Sequence, residues 1–165
     1  MHTTKQRGFT LIELVVVIII LGILAVVAAP KFINLKSDAL IASLNGFQGA
    51  LKSANTLVYS KAVLSGQEKL DPGSVTVNGT TISTTVGYIT SLSANVAVAI
   101  DGSFEVMTNA NDAITADWGL YDVSGGNVYI FPKGYDINGN CSLRYFIDGT
   151  KPADPIFYAL TTTGC

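Results

Sequence analysis

Between Phe9 and Ala29 the chain carries one ionisable side chain, Glu13, in an otherwise apolar run. About 20 such residues are needed to cross the hydrocarbon core of a bilayer. As a helix this stretch would rise about 31 Å. Lys5 and Arg7 precede it, and no acid lies between Met1 and Gly8. Positive charge ahead of a span keeps that end cytoplasmic and exports the rest of the chain.

Three readings of the segment compete. A secretory signal peptide would be removed at a small-residue site, and Val27-Ala28-Ala29 offers one. That places Pro30 directly after the cut, puts a carboxylate at the start of the apolar region, and needs a longer run than such peptides use. A permanent single-span anchor leaves Glu13 without a purpose. Cleavage after Gly8 explains most: it removes both early basic residues and creates a new α-amine on Phe9, close to Glu13. A charge inside a membrane costs about 2.5–3.5 kcal/mol even on the gentler scales, and such residues usually pair. An amine from the same or a neighbouring chain would neutralise Glu13. Among chains packed side by side, that pair would fix register as a buried polar residue does in a coiled coil.

Gly8-Phe9-Thr10-Leu11-Ile12-Glu13-Leu14, a basic leader before it and the apolar run after it, resembles the processing site of type IV prepilins and pseudopilins. The likeness is strong over residues 5–60. It implies that Gly8 precedes the cut, that Phe9 becomes the first mature residue and is N-methylated by the same prepilin peptidase, and that Glu13 pairs with the amine of an adjacent subunit. The run continuing to Pro30-Lys31-Phe32-Ile33-Asn34-Leu35, Asp117-Trp118 and the terminal cysteine look like the mannose-sensitive haemagglutinin (MSHA) pilin group. The resemblance implies an adhesive surface fibre, without locating its adhesive residues. It implies copies of the chain itself, minor pilins and the pilus assembly platform as partners. It also implies an inner-membrane precursor, its N-terminus cytoplasmic, that becomes an extracellular fibre. The alternative is a pseudopilin of a type II secretion system, which shares the whole N-terminal logic; a terminal disulfide loop favours the pilin.

Beyond Pro30, Ile33, Leu40, Leu44, Phe47, Leu51, Ala54 and Val58 recur mostly at spacings of three and four, an amphipathic helical stripe. Lys36, Asp38, Asn45, Lys52 and Lys61 fall mostly off it. One helix is expected over 9–65, spanning the membrane at 9–29 and amphipathic over 30–65. Pro30 removes the bond to the carbonyl of Val26, and Gly22 costs about 1 kcal/mol relative to alanine. The pilin resemblance makes Gly22 and Pro30 the bounds of a stretch that melts on assembly; a plain kink is the alternative. Leader 1–8, helix 9–65 and a β-rich head 66–165 complete the expected plan.

In the head, residues 66–73 read as a connector. Val75 to Ile82 reads as a hairpin with Asn78-Gly79 at its tip. A short helix is expected within 88–100 and a strand over 104–107. Residues 127–131, 142–147 and 156–161 read as strands of an antiparallel sheet laid on the helix. The fold class is therefore α+β. Two cysteines, Cys141 and Cys165, would staple the C-terminal loop to this sheet in an oxidising compartment; two unpaired buried thiols are the alternative.

A net charge of −2 with 13% charged residues lacks the footprint of a nucleic-acid binder. His2, the sole histidine, lies in the expected leader, which leaves no histidine for a catalytic triad or zinc site after cleavage. No nucleophile-elbow, P-loop or H-E-x-x-H string occurs. The expectation is a structural protein, not an enzyme, with no metal or cofactor. Asp136-x-Asn138-x-Asn140 opens like a calcium loop, but Cys141 and Ile147 stand where Gly and Glu are required; turn chemistry explains it equally. Asp112, Asp117 and Asp122 read as solvated loop charges. Trp118, Tyr121, Tyr129 and Tyr135 either stack a sugar or fill a core.

Overall fold

The computed structural model describes residues 8–151 and 154–165; the side chains of Ile33 and Asn34 are not described. The expected leader up to residue 7, with His2, Lys5 and Arg7, lies outside the described residues, as does the side chain of Ile33 in the expected stripe. The chain divides into two compact units, one ending at Asp38 and the other formed by Ala39–Cys165.

Helix α1, Leu11–Leu64, is unbroken through Gly22 and Pro30. Its end is a Schellman motif. Gly66 takes φ +66°, Gln67 N–H donates to the Ala62 carbonyl at 2.8 Å, and Gly66 N–H donates to Val63 at 3.2 Å. Glycine is needed there because a Cβ disfavours the left-handed region.

From Ala39 onward, α1 buries Leu44, Phe47, Leu51, Ala54, Val58 and Ala62 and leaves Asn45, Lys52 and Lys61 exposed. The 3.6-residue period dictates that stripe. Two sheets share the core with it. Strands β1 (Gly73–Val77), β2 (Thr80–Thr85) and β3 (Tyr88–Ile89) form an antiparallel three-stranded sheet. Asn78 (φ 50°) and Gly79 (φ 81°) close its first hairpin, the positive-φ pair that matches strand twist. Helix α2 (Ser93–Ala99) follows. Then β4 (Phe104–Val106), β5 (Trp118–Val123), β6 (Asn127–Pro132), β7 (Ser142–Ile147) and β8 (Ile156–Thr161) form a five-stranded sheet in chain order.

The expected antiparallel sheet forms over β5–β8; at its edge β4 runs parallel to β5, because residues 107–117 cross over rather than turn back. Parallel neighbours require such a connection. The short helix expected within 88–100 is α2, with the strand Tyr88–Ile89 before it. One expectation needs correction: Trp118–Val123 is a strand that includes Asp122, not a loop. Gly119 fits there because Ile114 Cδ1 and Met107 Sδ lie 2.5 and 2.9 Å from where its Cβ would be. Alternation carries the rest: Leu143, Tyr145 and Ile147 of β7 face the core, and Arg144 faces solvent.

A buried polar network crosses this core. Asn55 Nδ2 donates to the hydroxyls of Tyr145 (3.0 Å) and Tyr158 (2.9 Å). Ile89 N–H donates to Asn55 Oδ1 at 2.9 Å, and Tyr145 donates to the Ile89 carbonyl. One side chain of α1 thereby fixes β3, β7 and β8, and its buried polar atoms are satisfied as burial demands.

Candidate assembly and processing site

At the N-terminus of α1, Glu13 Oε2 accepts from both the backbone N–H and the hydroxyl of Thr10, each at 2.8 Å. Glu13 N–H in return donates to Thr10 Oγ1 at 3.3 Å. This is a capping box: Thr10 is the N-cap, Glu13 the third helical residue, and two backbone donors without helical partners are satisfied reciprocally. The carboxylate also lies at the positive end of the helix dipole. The T-x-x-E signature is present in the sequence at Thr10–Glu13. This spacing has its role within the chain.

The large apolar side chains from Phe9 to Val27 are 37% to 91% exposed, so this unit covers none of them. Over an 18-residue window the mean hydropathy reaches 3.2, and the helix is long and apolar enough to cross a membrane. Phe9, Ile12, Glu13, Val16 and Val17 line an open, almost wholly apolar hollow of about 350 Å³. Among the described residues, Glu13 Oε1 makes no hydrogen bond. The arrangement offers one carboxylate, held in a fixed rotamer by Thr10, inside an apolar face. Gly22 has open space about its missing Cβ, and Pro30 lies within the continuous helix. Gly8 and Phe9 precede the helix and are exposed.

At the opposite end of the sequence, Cys141 and Cys165 form a disulfide with Cα atoms 4.9 Å apart. Cys141 is fully buried beside β7. Gly164 N–H donates to the Asn140 carbonyl at 3.0 Å, which docks the terminal loop.

Most of the other candidate residues have structural partners. Asp136 Oδ1 accepts from the N–H groups of Asn138 (2.9 Å) and Gly139 (3.0 Å), an Asx turn. No group of three His, Cys, Asp or Glu that could hold a metal occurs among the described residues. Asp112 accepts from Thr108 and Asn109, and those bonds, the Asn109 N–H first, hold it below the usual carboxylate range. Asp122 binds both Ser93 N–H and Ser93 Oγ at 2.7 Å. It anchors the first turn of α2, whose own N-cap residue, Leu92, makes no side-chain cap. Trp118 packs on Phe47 with centroids 4.8 Å apart. Tyr121, Tyr129 and Tyr135 pack around Met107, Ile114 and Phe131. These aromatics are partly buried and pack against the core.

Residues 3–29 match the prokaryotic N-terminal methylation motif. The chain is 40% identical over 58 residues to the type IV narrow pilus major component PilA5 of Thermus thermophilus, an alignment covering 35% of this chain and 50% of that protein. It is 33% identical over 118 residues to the fimbrial protein EcpC of Eikenella corrodens, covering 65% of this chain and 77% of the relative. The chain thus spans half the length of the first relative. No solved structure matches at a significant level. The motif over the capped, exposed apolar helix and the extended likeness to a fimbrial protein agree: this chain belongs to the type IV pilin family.

Proposed function

We propose that the chain is a prepilin of the MSHA kind and that it polymerises into an adhesive surface fibre. The observation that carries this is one carboxylate, pinned by Thr10, in the first turn of α1, within the exposed apolar stretch 9–29. Prepilin peptidase cuts between Gly8 and Phe9 and methylates the new Phe9 amine. The chain then divides at 1–8, 9–65 and 66–165: a leader, a helix that first spans the inner membrane and then enters the fibre core, and a head that coats the fibre. The precursor's N-terminus stays cytoplasmic. Glu13 meets the Phe9 amine of an adjacent copy, with Oε2 on the cap and Oε1 toward the amine, and sets axial register. On assembly the helix melts between Gly22 and Pro30, where one hydrogen bond is already missing. Minor pilins and the assembly platform are the further partners. A contact that joins unlike faces and does not close generates a filament.

The test is Glu13→Gln, which keeps an acceptor for Thr10 and removes the charge. The variant should be processed normally and make no fibres. Normal piliation would refute the register role.

A further inference from the structure

The solvent face of β6–β8 carries a cluster of basic and aromatic side chains. Register places Arg144 between Tyr129 and Ala159, and Phe146 between Asn127 and Phe157. Arg144, Phe146, Lys151, Phe157, Tyr158 and Ala159 line a hollow of about 360 Å³, within the range of small-ligand sites. The small side chain of Ala159 opposite Arg144 leaves the space. The Phe146 and Phe157 rings form the floor, centroids 5.8 Å apart and inclined by 33°. Lys151 Nζ stands 5.4 Å from the Phe157 centroid.

Arg144 is oriented. Its Nε donates to Asn127 Oδ1 at 2.9 Å, and the Asn127 amide is itself fixed on the Gly125 carbonyl at 3.3 Å. That leaves the terminal nitrogens of a planar fork, the group that matches a carboxylate. Arg144 makes no ion pair among the described residues. Lys151 is 63% exposed and pairs with the half-buried Asp148 at 3.5 Å, while Asp148 also accepts from Thr150.

We propose that this hollow binds a carboxylated pyranose, the repeating chemistry of acidic polysaccharides. The aromatic floor takes the apolar C–H face of the ring, and Arg144 takes the carboxylate with Lys151 beside it. A simple anion has no use for the floor. A single site of this size binds weakly, and repetition along a fibre multiplies weak sites into firm attachment. The site deepens the adhesion part of the proposed function and rests on it only for its setting.

The experiment uses the mature chain in zwitterionic micelles and sodium glucuronate as probe, read by saturation-transfer NMR. Ring protons of glucuronate should show transfer, and glucose at equal concentration should not. Arg144→Gln should weaken binding at least tenfold, and Phe157→Ala should weaken it similarly. Both residues are exposed, and unchanged Trp118 emission checks folding. Absent transfer, equal transfer to glucose, or unchanged binding by Arg144→Gln would overturn the site. In intact fibres, Ala159→Cys should react with a maleimide; protection would place a neighbouring copy in the hollow and also overturn it. Micelle binding needs no polymerisation, so its failure leaves the pilin reading standing, and loss of fibres in Glu13→Gln leaves this site standing.

Discussion

Replacing Asn55 with alanine should weaken the head more than any single surface change. Asn55 is 2% exposed and connects Ile89 N–H to the hydroxyls of Tyr145 and Tyr158. Without it, Tyr145 keeps the Ile89 carbonyl as acceptor, and the half-buried Tyr158 can turn to water. Ile89 N–H can do neither, since Ile89 is fully buried. An orphaned buried donor costs about 1–3 kcal/mol, and the vacated amide adds a cavity worth about 1 kcal/mol. The expected loss is about 2–4 kcal/mol. At about 2.1 cal/mol/K per residue over Ala39–Cys165, the midpoint falls by roughly 7–15 °C. Thermal unfolding of the mature chain in micelles, followed by Trp118 emission, measures this because Trp118 packs on Phe47 of α1. Tyr158→Phe should cost only about 0.5–1.5 kcal/mol, one hydrogen bond. If Asn55→Ala lowered the midpoint no more than Tyr158→Phe, the network would not hold helix to sheet as described.

The head supplies two further expected outcomes. Cys141→Ser with Cys165→Ser opens a loop of sequence separation 24; the chain-entropy relation puts the loss at about 3–4 kcal/mol, readable as a lowered urea midpoint in the same emission assay. Burial pushes the Tyr145 hydroxyl well above its ordinary value near 10, so the native state keeps its proton where the unfolded chain loses it. Tyr145 therefore contributes stability that is intact below about pH 10 and lost as pH rises through its native pKa. The melting temperature should hold steady to about pH 10 and then fall, and a flat profile to about pH 11.5 would contradict its burial.

Much of the fold was legible where one periodicity acted alone. The stripe from Leu40 to Val58 needed only the helical repeat, and Asn78-Gly79 needed only the positive φ that turn requires. Strands at Ser142–Ile147 and Ile156–Thr161 matched their expected bounds because apolar and aromatic residues fill them between turn residues. Strand β5 was obscured by Gly119 and Asp122, which look like loop residues. Gly119 is there for the close approach of Ile114, and Asp122 serves α2. Both reasons are tertiary. Asn55 carries no local signal for the same cause, since its partners lie 34 to 103 residues away. At the candidate site, the carboxylate, its apolar surroundings and the T-x-x-E spacing of Thr10 and Glu13 were all present in the sequence, whereas which carboxylate oxygen Thr10 engages required the geometry.

The central claim is that Glu13 belongs to a helix whose neighbouring amine arises by cleavage after Gly8. Intact-mass and N-terminal mass spectrometry of chains from purified surface fibres tests it most directly. The account predicts a chain of residues 9–165 that begins with N-methylated Phe9 and carries one disulfide. A chain beginning at Pro30, or an unprocessed one beginning at Met1, would contradict it.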